Sequence, residues 1–254
     1  MSRTLTPYSL KDAPALIERL MPVQKFSAEV FRERKAGPGQ TLVPIGSYWK
    51  GRKPLILNKA CILGCLLPAT DNLTRDLEIF EKLMAMDDES FAARWPRRQK
   101  PKDIIGVLSI VIRDYFAVEP DNALPEFAPV DWSKPEHQKV KVAWREDVTE
   151  LDRRRLEAQM LPKTSYRERV ERANRPEEVM DTVHDHIWEA VNDHLGTNAR
   201  SFPELVEQLG IMRFGHSPRV ADTFCGSGQI PFEAARLGCD AYAADLNPVA
   251  CMLT

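Results

Sequence analysis

The chain has 254 residues, 43% hydrophobic and 28% charged, with a formal net charge of −2. This composition fits a globular protein of one or two domains, and the near-zero charge excludes a uniformly basic surface of the kind that coats nucleic acid. No run approaches the roughly 18 apolar residues of a membrane helix. No signal-peptide core follows Met1, and five cysteines without a tight pattern suit a reducing compartment, so a cytoplasmic location free of the membrane is expected.

In residues 9–35, Leu16, Ile17, Leu20, Val23 and Phe26 recur near a 3.6-residue period, which predicts helix split at Pro22. Gly37, Pro38, Gly39, Gly46, Gly51 and Pro54 predict a loop over 36–54. From Leu55 to Leu67 the chain is apolar nearly all round, as in a buried helix, with Cys61 and Cys65 expected as core residues. Amphipathic helices are predicted over 73–86 and 103–116. Pro120, Pro125, Pro129 and Pro135 break all periodicity and read as a linker. Further helices are predicted over 147–160, over 176–195 with Gly196 as its stop, and from a Ser201 cap to Leu209 with Gly210 as its stop.

The segment from Pro218 to Pro248 carries the chemistry. It reads as strand 219–224, a turn containing Gly226 and Gly228, helix 230–237, and strand 240–244 followed by Asp245. This is the opening of a doubly wound α/β sheet. A dinucleotide fingerprint needs a third glycine where Pro231 stands, and there is no P-loop lysine pattern. Asp222, at the end of the first strand, repels a pyrophosphate and attracts a cationic amino-acid group. The glycines admit close approach of backbone, and Asp245 suits a pair of ribose hydroxyls. That set points to S-adenosylmethionine; the plain alternative is a tight strand–helix turn shaped by the same residues. The expected fold is α/β: a mostly helical N-terminal region followed by the first β-α-β unit of an incomplete Rossmann-like domain. The expected division is a helical domain over 1–118, a linker over 119–146, a helical connecting region over 147–217, and the cofactor-binding start over 218–254.

Asp222-Thr223-Phe224-Cys225-Gly226-Ser227-Gly228 resembles the cofactor motif of amino-group DNA methyltransferases. The stretch from Leu205 through Asp245-Leu246-Asn247-Pro248 to Thr254 resembles a narrower group: large adenine-specific DNA methylases that begin with a conserved domain of unknown function and belong to bacterial anti-phage gene clusters. Gly46 to Leu55 and Leu67-Pro68-Ala69-Thr70-Asp71 resemble that N-terminal domain. The resemblance implies S-adenosylmethionine as cofactor, bound by Asp222, Phe224, Gly226, Gly228, Asp245 and Asn247. It implies DNA as a partner, with the remaining methyltransferase portion or other defence-system proteins as further ones. Such enzymes flip adenine into a pocket and hold it with an Asp/Asn-Pro-Pro-Tyr tetrapeptide. This sequence contains no Pro-Pro pair, and Asn247-Pro248-Val249 is the nearest match. The chain is therefore expected to be an N-terminal portion, with no catalytic residue of its own and no methyl transfer alone. Methylation of RNA or guanine N2, or a non-catalytic DNA-binding or assembly role, are the competing readings.

Trp49, Lys50, Arg52 and Lys53 form a basic aromatic loop, either solvent-exposed or lining a cofactor pocket as the similar helix start does in related methyltransferases. Arg94, Arg97, Arg98, Lys100 and Lys102 surround Trp95, as a solvated charge run or as phosphate contacts. Arg153, Arg154 and Arg155 sit among acids on a salt-bridged helix face. His184 and His186, two apart on a helix, would face apart, so no metal site is expected. Cys225 is expected as a packing residue in the turn.

Overall fold

The computed structural model describes residues 5–254 except 38, 44–48, 50, 96–98 and 180–185. It is a mixed α/β protein, about half helical, with two small sheets among the described residues. In chain order its main elements are α1 (Val23–Lys35), α2 (Leu55–Leu66), α3 (Leu73–Leu83), α4 (Asp88–Arg94), α5 (Pro101–Val107), β1 (Phe116–Glu119), β2 (Lys141–Trp144), α6 (Glu150–Met160), α7 (Tyr166–Arg172), α8 (Trp188–Leu195), α9 (Phe202–Phe214), β3 (Arg219–Asp222), α10 (Gln229–Arg236), β4 (Asp240–Ala243) and α11 (Pro248–Leu253). Two compact units result, one from residues 1–94 and 174–254, the other from 95–173. No described helix is long and apolar enough to cross a membrane.

In the first unit α2 is the hub, packed against α1, α9 and α10. Leu55, Ile56, Ala60 and Leu63 are buried with Leu16, Phe80, Leu205, Leu209 and Ala234. An α-helix leaves backbone groups without partners at both ends, and α2 has no local polar cap: Pro54 precedes it and Leu67 follows it. Two distant side chains do the capping. The Glu33 carboxylate of α1 accepts the N–H groups of Leu55 (2.8 Å) and Ile56 (3.1 Å). Arg213 of α9 donates to the carbonyls of Leu66 (2.6 Å) and Leu67 (3.0 Å). Burial raises the pKa of Glu33 even against those two N–H donors.

The chain leaves this unit after Arg94 and returns at Asn174, and those two residues are stitched together. Asn174 N donates to the Arg94 carbonyl (2.8 Å) and Arg94 Nε donates to the Asn174 carbonyl (2.9 Å). The Arg94 guanidinium is fully buried and makes two bonds to Glu29, at 2.7 and 2.8 Å. Arg94 is therefore neither a phosphate contact nor part of a solvated charge run. The apolar surroundings of α4 and Phe91, which it overlies at 4.6 Å, take it inside. Arg97 and Arg98 lie outside the described residues; Lys100 is exposed, and Lys102 donates to the Gln138 carbonyl at 3.2 Å.

Several sequence expectations change. Cys61 and Cys65 are exposed, because α2 keeps one strip clear of its neighbours. Gly210 lies inside α9 instead of ending it; Gly215, at φ +76°, is the stop. A Cβ at Gly210 would stand 2.4 Å from Pro218 Cδ, so the glycine admits the returning chain. Of the helix expected over 176–195, the described residues show a 3-10 turn at Pro176–Glu178 and α8, and residues 180–185, His184 among them, lie outside the description.

Glu177, in that 3-10 turn, is 7% exposed. Its Oε1 lies 2.7 Å from Arg175 Nε but without hydrogen-bond alignment. Burial, with nearby Glu33, pushes its pKa up to about 7, against about 4.5 in a solvated carboxyl. The folded state thus holds a proton that the unfolded state releases between these values, so this contribution to stability falls as pH rises from about 4.5 to 7. Urea unfolding of Glu177→Gln at pH 5 and pH 8 is expected to show a smaller loss of stability across this window than the unsubstituted chain; an equal or larger loss would contradict this account.

In the second unit β1 and β2 pair antiparallel, Phe116 opposite Trp144 and Glu119 opposite Lys141. The Phe116 and Trp144 rings lie 4.5 Å apart, and the Arg153 guanidinium covers Trp144 at 5.1 Å. Thr149 caps α6, on which Arg154 pairs with Glu150 and Arg155 with Asp152. The helix expected over 103–116 is interrupted after α5. Ile112 N donates to the Glu126 carbonyl (3.0 Å) and Ala128 N to the Ile110 carbonyl (2.9 Å), so residues 108–111 pair with the Pro-rich segment before a short helix resumes at Ile112–Tyr115. Val130 and Val140 of that segment are buried.

Candidate functional site

β3 and β4 pair in parallel, with Arg219 opposite Asp240 and Asp222 opposite Ala243, and α10 joins them. Between Asp222 and α10 the chain must turn sharply. Gly226 (φ +54°) and Gly228 (φ +72°) take left-handed conformations that cost a side-chain-bearing residue roughly 1–2 kcal/mol. Gly228 is the N-cap of α10, so the partial positive charge of that helix end faces the turn. α10 lies against α2, and its Ala234 is fully buried.

A cavity of about 270 Å³ opens at this turn. One wall is Asp222, Phe224, Cys225, Gly226, Ser227, Gln229 and Ile230; the other is Trp49, Gly51, Arg52 and Lys53, just ahead of α2. A Cβ at Gly226 would lie 2.7 Å from Trp49 Nε1, so the bare glycine lets the indole approach. Ser227 and Gln229 are 5% and 4% exposed, yet Ser227 Oγ and Gln229 Nε2 have no hydrogen-bond partner. Arg52 Nη2 donates to the Glu33 carbonyl at 3.2 Å, while its buried Nη1 has no partner. A buried polar group without a partner costs free energy that a ligand can recover. These donors and cations suit a carboxylate, and Asp222 suits an ammonium.

The six residues expected at the cofactor divide. Asp222, Phe224 and Gly226 line the cavity. Phe224 is 74% exposed, so its ring is outside the core. Asp222 Oδ1 accepts the Phe224 N–H at 3.1 Å. Gly228 abuts Thr254 of α11's end. Asp245 staples the turn: Oδ1 accepts the Asn247 N–H and Oδ2 the Gly226 N–H, each at 2.8 Å. Those backbone donors, Asn247 first, hold its carboxyl below the usual carboxylate range. Asn247 caps α11 by accepting the Val249 N–H at 3.0 Å. Cys225 is buried, with Sγ 3.3 Å from Thr254 Oγ1, in keeping with a packing role. Of the basic aromatic loop, Trp49, Arg52 and Lys53 line the cavity; Lys50 lies outside the described residues. Ser227 and Gln229 carry no signal of this role in the sequence, because nothing in the G-S-G-Q run tells that their polar atoms end up buried.

Residues 20–83, about a quarter of the chain, match a family model described as "Protein of unknown function (DUF1156)". The matched segment includes α1, α2, α3 and the cavity wall from Trp49 to Lys53. No curated protein and no solved structure matches the chain.

Proposed function

We propose that this chain is the cofactor-binding portion of an S-adenosylmethionine-dependent methyltransferase acting on adenine N6 in DNA, in a phage-defence setting. The observation that carries the cofactor reading is the pair of buried, unpartnered donors, Ser227 Oγ and Gln229 Nε2, beside a left-handed glycine turn with Asp222 at the strand end. Two acceptor-seeking donors, two cations and one carboxylate in one cavity fit a zwitterionic amino-acid end. A dinucleotide pyrophosphate would meet the Asp222 carboxylate instead. The adenine and defence readings rest on the resemblance of the stretch from Leu205 to Thr254, together with residues 46–55 and 67–71, to the narrower group of methylases.

Asp222 would hold the ammonium, Ser227, Gln229 and Arg52 the carboxylate, and Asp245 the ribose, while Trp49 and Phe224 exclude water from the cavity mouth. When bound, the cofactor supplies a methyl group on a sulfonium. The Asp/Asn-Pro-Pro-Tyr tetrapeptide that grips the target base in the enzymes this segment resembles has no counterpart among the 254 residues. By itself the chain binds cofactor and transfers nothing.

Calorimetric titration of S-adenosylmethionine into the chain is expected to show one site, weakened at least tenfold in Asp222→Ala. A folded chain that binds no cofactor, or that binds equally with Ala at 222, would overturn the reading.

A further inference from the structure

A second constellation stands apart from the glycine turn. Asp87 and Glu89 sit at the start of α4, and His186 just ahead of α8. His186 Nε2 is 3.5 Å from Asp87 Oδ1 and 3.6 Å from Glu89 Oε2. Both distances are too long for hydrogen bonds. Nε2 is nonetheless shut away from solvent and has no hydrogen-bond partner. One donor atom from each of the three residues falls within 4.8 Å of the others.

We infer that His186, Asp87 and Glu89 form a divalent-cation site of the zinc class. Zinc–ligand bonds of about 2.0–2.2 Å at tetrahedral angles place neighbouring donors about 3.3–3.6 Å apart, the spacing seen around Nε2. One imidazole with two carboxylates is a borderline donor set, suited to zinc over calcium or magnesium. Two carboxylates balance the charge of a dication. Asp87 is held in position: its Oδ1 accepts the N–H groups of Glu89 and Ser90, each at 3.1 Å, and its Oδ2 accepts the Ser90 hydroxyl. Such outer bonds orient metal ligands. They also cap α4, so Asp87 serves the fold whether or not a cation is bound, and the test is placed on the other two residues.

His186 also lines a polar cleft of about 650 Å³ with Glu189, Asn192, Asp193, Asn198 and Arg200. A cation held by three protein donors keeps a further position for water or an oxyanion.

Zinc is titrated calorimetrically into the full chain carrying Cys61→Ser and Cys65→Ser, since exposed thiols four residues apart on α2 compete for zinc. One equivalent is expected to bind and to raise the melting temperature. Glu89→Gln and His186→Gln, each with the circular dichroism of the parent, are expected to weaken binding at least tenfold. Absence of saturable binding, or binding that either substitution leaves unchanged, overturns the site.

Discussion

Replacing Glu29 with alanine is expected to destabilise the chain by about 3–5 kcal/mol, the cost of stranding a buried charge. Its partner Arg94 is fully buried, and the paired carboxylate accepts from both terminal guanidinium nitrogens. Arg94 would keep its bonds to the Ala85 and Asn174 carbonyls, but those acceptors carry no charge to offset the cation. The double substitution Glu29→Met with Arg94→Met is expected to recover much of the loss, because a buried ion pair replaced by apolar side chains of similar volume is often neutral. Urea unfolding of the parent, the single variant and the double variant measures both. A single-variant cost below about 1 kcal/mol would mean that the pair is solvated.

The second large effect is expected at Gly226→Ala. Its φ of +54° penalises a side chain, and the new Cβ would meet Trp49 Nε1 at 2.7 Å. The indole must withdraw from the cavity wall or the turn must reshape, and either disturbs the donors around Ser227. Cofactor affinity is expected to fall more than tenfold, which corresponds to over about 1.4 kcal/mol. The far-ultraviolet circular dichroism should be unchanged, since Gly226 belongs to neither β3 nor α10. An unchanged affinity would show that the turn does not touch the ligand.

The local elements near the site were legible because each is specified by neighbouring residues. The glycines and Asp222 announce the strand–turn–helix, and β3, α10 and β4 fall within two residues of the expected bounds. The apolar run after Pro54 announces α2. Its caps were not legible: Glu33 and Arg213 lie far from it in sequence, and no local cap residue stands in their place. Arg94 illustrates the same limit. Within a stretch of arginines and lysines it reads as surface charge, and only the packing of α1 against its neighbourhood gives it Glu29.

The site divides along the same line. Asp222, Gly226 and Gly228 could be picked from spacing alone, since left-handed turns and a strand-end acid are local properties. That Asp245 binds the Gly226 N–H, that Ser227 and Gln229 bury unpartnered donors, and that Trp49 closes the opposite wall all depend on contacts across long stretches of chain. The amino-acid sequence by itself thus determined helices such as α2 and α3 and the β-α-β turn. The tertiary structure alone decided which charges are buried, which side chains cap α2, and which residues face one another across the cavity. Hydrogen bonds and packing between distant residues set these outcomes, and periodicity carries no record of them.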